Sequence, residues 1–150
     1  MFNTTINTYR FGNWVHRKVK LPLIRHFLLL IYRVLDLILC RMVAHAEIPR
    51  QTPIGKNLRL PHNGNGVIVV RESTIGNNVV IRPQVIIGRT IKDGINAPKI
   101  GNNVDIGVGV KILGDVTIGD NVKIGANAVV VKDIPANCTA IGIPATVIKK

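Results

Sequence analysis

Between residues 48 and 130 an aliphatic side chain returns every six positions. It falls at Ile48, Ile54 and Leu60, then at Val69, Ile75, Ile81 and Ile87, then at Ile100, Ile106, Ile112, Ile118, Ile124 and Val130. Glycine often follows it, as at Gly55, Gly76, Gly101 and Gly119, and a second small or aliphatic group comes four positions after it, as at Val79, Val85, Val104 and Val122. A six-residue repeat of this kind predicts a parallel β-helix, in which each short strand supplies one large inward side chain. Neighbouring coils then bury a continuous aliphatic stack that no single coil could hold by itself. The step lengthens to nine between Leu60 and Val69 and to thirteen between Ile87 and Ile100, which leaves three and seven extra residues. A solenoid carries such insertions as loops on its faces, where function commonly resides.

The N-terminal third follows a different pattern. Residues 5–20 and 23–44 read as two helices divided near Pro22, a residue that suits a helix start and disrupts a helix interior. The division is therefore a helical region over residues 1–45 and a β-helix over residues 46–150, closed from Asn127 onward by a last coil and cap. Tyr9, Phe11, Trp14 and Val15 are the expected packing residues of the first helix. The second is apolar round most of its circumference, with Arg25, Arg33, Asp36 and Arg41 on its polar side. A helix so apolar requires cover. Packing on the first helix, on the open end of the solenoid or on another subunit is one reading, and a peripheral seat on a membrane surface is the other. Its apolar run, interrupted by Arg33 and Asp36, falls short of the ~20 residues that span a bilayer.

Charge changes this picture in one respect. The net charge is +12, with eight Lys/Arg against Asp36 and Glu47 in residues 1–50, and twelve against six acids in the remainder. That favours a polyanionic ligand or an anionic surface. Aromatic residues make up only 4% and no nucleic-acid motif is present, so nucleic acid is not the expected partner. Cys40 and Cys138 are isolated and lack metal-type spacing, which reads as free thiols in a reducing, cytoplasmic setting.

Candidate chemistry centres on His62. His16, His26 and His45 lie on or beside the helices, whereas His62 occupies the Gly/Asn-rich first insertion and is the one histidine of the repeat region. A three-histidine metal site cannot be assembled there, so no metal is expected. What remains for His62 is general-base work, which needs a partner to fix its tautomer and support the imidazolium. Glu47 is the candidate, fifteen residues earlier and so close to one coil away near the same corner.

With these residues in view, the chain resembles the hexapeptide-repeat acyltransferases, in particular the serine O-acetyltransferase branch and its relatives in exopolysaccharide, colanic-acid and capsule synthesis. The resemblance covers roughly residues 45–148. It rests on Leu60-Pro61-His62-Asn63-Gly64-Asn65-Gly66, on Ala97-Pro98-Lys99-Ile100, on Ile106-Gly107-Val108-Gly109-Val110-Lys111-Ile112-Leu113-Gly114 and on Gly142-Ile143-Pro144-Ala145. It implies a mainly β fold, a left-handed parallel β-helix preceded by short helices, and a homotrimer that holds acetyl-CoA between neighbouring subunits. It also implies His62 as general base oriented by Glu47. Backbone groups near Gly88, Gly107, Val108 and Gly109 would meet the thioester and pantetheine. Lys132 and the tail near Pro144, Ala145, Lys149 and Lys150 would approach the rest of the CoA.

The departures concern the acceptor. Serine acetyltransferases carry Asp before the catalytic His and Arg-His before Pro-Lys-Ile; those places are held here by Pro61, Asn96 and Ala97. Each lost charge-assisted contact is worth roughly 1.5–3 kcal/mol. The expectation is therefore an acetyl-CoA-dependent O-acetyltransferase acting on a hydroxyl of a sugar or glycan intermediate, with Asn63, Asn65, Arg82 and Arg89 as acceptor-binding residues. Serine as acceptor is the alternative, with Arg89, Lys92 or Arg82 replacing the missing clamp. N-acetyl transfer to an amino sugar and a non-catalytic trimeric scaffold complete the readings.

Overall fold

The computed structural model describes residues 3–90 and 97–148. Its β-helix is built from two- and three-residue strands that stack into three sheets, parallel except at the last strand. The first contains β1 (Ile68–Val69), β4 (Ile86–Gly88), β7 (Lys111–Leu113) and β10 (Val129–Val130). The second contains β2 (Thr74–Ile75), β5 (Lys99–Ile100) and β8 (Thr117–Ile118). The third contains β3 (Val80–Ile81), β6 (Asp105–Ile106), β9 (Lys123–Ile124), β11 (Thr139–Ile141) and β12 (Thr146–Ile148). An initial coil joins all three sheets through single bridges, Glu47 to Ile68, Ile54 to Ile75 and Arg59 to Val80.

The six-residue beat marks the inward positions. Val69, Ile87, Ile112 and Val130 stack in one sheet, Ile75, Ile100 and Ile118 in the next, Ile81, Ile106 and Ile124 in the third, and all are at most 4% exposed. The residues four positions on, among them Val79, Val85, Val104, Val110 and Val122, are buried beside them. Each such side chain contributes about 1.5–3 kcal/mol on leaving water. Paired positions are eighteen residues apart where the beat is unbroken, as Ile68 with Ile86. They are separated by three more across the first insertion, as Ile54 with Ile75, and by seven more across the second, as Ile75 with Ile100.

One corner is held by side chains. Asn57, Asn78, Asn103, Asn121 and Asn137 all adopt φ between 56° and 61°, a left-handed conformation that asparagine tolerates better than most residues. Their amides run as a ladder, each Nδ2 donating to the next Oδ1 at 2.9–3.0 Å. At the far end the last coil is short. Ile118 meets Ile134 and Lys123 meets Thr139, sixteen residues on, and β12 then folds back antiparallel onto β11. That strand occupies an edge otherwise open to another chain.

The opposite end is closed by α1 (Thr4–Lys18) and α2 (Pro22–Leu35), the latter running on as a π-helical segment, Asp36–Val43. Polar side chains of α1 satisfy the carbonyls that the first coil cannot pair. Tyr9 Oη donates to Thr52 O at 2.7 Å, Asn13 Nδ2 to Arg50 O at 2.7 Å, and the Arg10 guanidinium to the carbonyls of Ile54 and Gly55. Tyr9 and Val15 are buried as expected, but Trp14 is 52% exposed and stacks on Phe11 instead. Gly12 is required where the helices meet, since a Cβ there would stand inside the Tyr32 ring. Cys40 is buried in this seam, Cys138 is half-buried, and both are free thiols.

Candidate active site

The first insertion folds as a tight turn over Pro61–Gly64, left-handed at its centre. His62, Asn63 and Gly64 follow one another with φ of 54°, 55° and 71°. For the two residues with a Cβ this conformation costs roughly 1–2 kcal/mol each. The turn persists because its backbone is tied at several points. Asn65 N–H bonds His62 O, Gln84 N–H bonds Asn65 O, and Gly66 N–H bonds Ala44 O. Two further ties come from the start of α1. Asn3 caps that helix through Oδ1, which accepts from Ile6 N–H at 2.9 Å, and its Nδ2 donates to Leu60 O at 2.7 Å. Thr5, 1% exposed, donates its hydroxyl to Asn63 O at 2.6 Å.

The His62 imidazole is thereby presented at the surface. It faces a cleft of about 370 Å³ that it shares with Asn3, Ile6, Leu58, Arg59 and Asn63. Among the described residues no side chain bonds its ring. Glu47 stands beside Ile68 at the exit of the same loop, its N–H bonded to Val67 O and its carbonyl to Val69 N–H. Its carboxylate does not reach His62 in this arrangement. It is half exposed and lies 3.5 Å from Arg41 Nη2, a separation at which a hydrogen bond is weak.

Glu47 opens onto a second cleft, of about 440 Å³, together with Gln51, Ile68, Arg71, Glu72 and Arg89. Arg89, expected at the acceptor, lies 2.9 Å from Glu72. Burial works against ionisation of Glu72, but its own backbone N–H and the Arg89 and Arg71 guanidiniums together hold its carboxyl below the ordinary value. Arg82, the other arginine expected there, is engaged by Asp105 on the next coil at 2.7 and 3.3 Å, a two-point pair that braces β3 against β6. The expected clamp position Asn96 and the candidate Lys92 lie outside the described residues, as do Lys149 and Lys150; Ala97 is buried. Asn65 is exposed beside the His62 turn.

The glycine-rich stretch divides into spent and open donors. Gly107 N–H is taken by Ile124 O and Gly109 N–H by Pro83 O, whereas among the described residues no acceptor takes the N–H of Val108, which is 40% exposed. Gly88 pairs with Leu113 inside the first sheet. Lys132 is exposed beyond β10, and Pro144 and Ala145 form the turn between β11 and β12, with Ala145 N–H bonded to Val129 O. No group of three or more His, Cys, Asp or Glu among the described residues is arranged to hold a metal ion.

Three sheets of minimal strands, parallel except at the last, with an imidazole on an inserted turn, define a hexapeptide-repeat protein. The model of the family described as bacterial transferase hexapeptide (six repeats) matches residues 97–132. Relatives found in sequence and in structure include serine acetyltransferases. That of Staphylococcus epidermidis is 43% identical over 113 residues, which is 75% of this chain and 53% of the relative. Soybean serine acetyltransferase in complex with serine superposes with a TM-score of 0.78 at 33% identity, over 96% of this chain and 56% of that one. A serine acetyltransferase in complex with CoA gives 0.76 at 28% identity, over 96% and 55%. The chain thus spans about half the length of the relatives it matches.

These findings correct the expected acceptor. The inference of a sugar or glycan hydroxyl in polysaccharide synthesis rested on Pro61, Asn96 and Ala97, and the relatives are serine acetyltransferases instead. The absence of that clamp at Pro61, Asn96 and Ala97 was given more weight than the replacement by Arg89, Lys92 or Arg82 that the serine alternative named. Both signs of charge are also gathered elsewhere on the coils, at Arg71, Glu72 and Arg89.

Sequence reasoning also missed Asn3 and Thr5. Their partners lie 57 and 58 residues away. The one local signal, an Asn in front of a helix, speaks of capping and not of the His62 turn.

Proposed function

We propose that the chain is an acetyl-CoA-dependent serine O-acetyltransferase in which His62 is the general base. The similarity to serine acetyltransferases across three quarters of the chain carries this reading, and the strained, tethered turn that presents His62 supports it. An imidazole nitrogen takes the proton from the serine hydroxyl as its oxygen bonds to the acetyl carbon. The thioester C–S bond breaks, and the departing thiolate recovers the proton as free CoA. Val108 N–H is the donor for the developing oxyanion, being the unspent amide of the glycine-rich stretch. Glu47 orients the imidazole once its carboxylate turns from Arg41. Arg71 and Arg89 meet the serine carboxylate, and Glu72 its ammonium. The working unit is a homotrimer with CoA between subunits, as the resemblance implies, and Gly88, Lys132, Pro144 and Ala145 line that path.

The test is thiol release from acetyl-CoA by purified wild-type and His62→Ala protein, with serine, sugars and sugar nucleotides each offered as acceptor. Serine-dependent release that falls on the order of 10²–10⁴-fold in the variant is the expected outcome. Release that depends on a sugar, or turnover unchanged in His62→Ala, overturns the reading.

A further inference from the structure

The second helix is apolar and almost wholly uncovered. Only Tyr32 is buried in Pro22–Leu35, at 4% exposure, while Leu23 is 87% and Phe27 64% exposed. Leu23, Phe27, Leu30, Val34 and Leu37 recur at steps of four, three, four and three, and the stripe runs into the π-helical segment as far as Met42. Side chains so spaced occupy one face of a helix. The face is about 30 Å long, and it lies away from the seam that Tyr32 makes with Gly12 of α1.

Charge identifies what covers this face. Residues 3–44 hold seven basic side chains, Arg10, Arg17, Lys18, Lys20, Arg25, Arg33 and Arg41, against the single acid Asp36. That acid is engaged by Arg41 at 3.1 Å and has only 17% of its side chain exposed. Two copies meeting through this face would bring together two strongly positive helical regions, each with seven basic side chains against one paired acid. A surface of anionic headgroups supplies the missing charge and accepts the apolar stripe beneath it. No described helix is long and apolar enough to cross a membrane, and Arg25 and Arg33 within α2 suit a helix lying in the interface.

We propose that α2 and its π-helical continuation seat the protein on an anionic lipid surface, with Leu23, Phe27, Leu30, Val34 and Leu37 among the acyl chains. Lys18, Lys20 and Arg33 then stand at the headgroup level. The β-helix is held against the membrane, and its clefts open near the bilayer.

Flotation of the full chain with vesicles of phosphatidylcholine alone, or with about one third phosphatidylserine, tests this. Recovery with the anionic vesicles, lost at high salt and absent with neutral ones, is the expected result. Each basic residue at an anionic surface contributes about a factor of five, so Lys18→Gln/Lys20→Gln lowers the partition coefficient about 25-fold. Both lysines are exposed, and this variant keeps the wild-type circular dichroism and melting transition. Phe27→Ser/Leu30→Ser abolishes flotation. Equal recovery with both vesicle types, or none with either, overturns the proposal. So does a smaller oligomer for Phe27→Ser/Leu30→Ser in sedimentation, which would assign the face to a second copy.

Discussion

The two N-terminal helices invert the usual relation between polarity and burial. α1 is rich in Asn, Thr and Arg, yet Thr5, Thr8, Tyr9, Gly12 and Val15 are all buried. α2 is rich in Leu and Ile, yet only Tyr32 is buried. The difference lies in what each helix faces. The first coil of a parallel β-helix ends in carbonyls with no strand beyond them, and an unpaired buried carbonyl costs about 1–3 kcal/mol. Side chains that donate hydrogen bonds answer that need better than leucines, and α1 supplies them at Asn3, Thr5, Tyr9, Arg10 and Asn13. Helix polarity here reports the chemistry of the opposing surface, and hydropathy alone assigns the wrong helix to the interior.

The sharpest way to break the contrast is Tyr9→Ala. It removes a buried ring and strands the Thr52 carbonyl, so urea unfolding should show a loss of about 3–5 kcal/mol. A loss below about 1 kcal/mol would mean that α1 is a dispensable cover.

Alkaline pH probes the seam between the helices. Burial pushes the Tyr32 hydroxyl up to about 12, with Asp36 adding to it, and pushes the Cys40 thiol up to about 11 for the same reasons in the same order. Both groups are held neutral in the folded chain and ionise more readily once unfolded. The stability they confer is therefore complete below the unfolded values, near 9 for Cys40 and 10 for Tyr32, and drains away as pH rises toward 11 and 12. Tyr32→Phe should flatten the upper part of that decline, worth on the order of 2 kcal/mol, in melts recorded across this range.

The smallest effect is expected on the exposed helix. Leu30→Gln should change unfolding free energy by no more than about 0.5 kcal/mol in the absence of lipid. A larger loss would show that α2 is covered in solution after all.

The contrast also explains what was legible beforehand. In the coils, the six-residue beat is the packing itself, and a reader who finds Ile81, Ile106 and Ile124 has found a buried column. The insertions were legible as interruptions of that count, and His62 stood out because it sat in one. A closing coil was expected from Asn127, but not its shortness, because Ile134, which pairs with Ile118, falls four residues after Val130, where the repeat places its second aliphatic group. Thr5, Asn13 and Arg10 were illegible because each acts on a backbone carbonyl far along the chain, and a carbonyl has no letter in the sequence. The acceptor was misjudged for a related reason. Three substitutions were weighed as if local, while Arg89 is brought to the adjacent pair Arg71-Glu72, seventeen residues earlier, only by the coil.

The two insertions have a further consequence, which concerns parity. In a flat strand, adding an odd number of residues turns every later side chain to the opposite face. Both insertions here are odd, three and seven residues, yet Val69 and Ile100 point inward after them as Leu60 and Ile87 did before. Each excursion leaves and rejoins the solenoid at a corner, where the chain changes direction and alternation is reset. The length of a loop beside the site is thus uncoupled from the register of the coils. Variation or design can lengthen the His62 turn residue by residue and reshape the cleft while the aliphatic columns beneath stay in step.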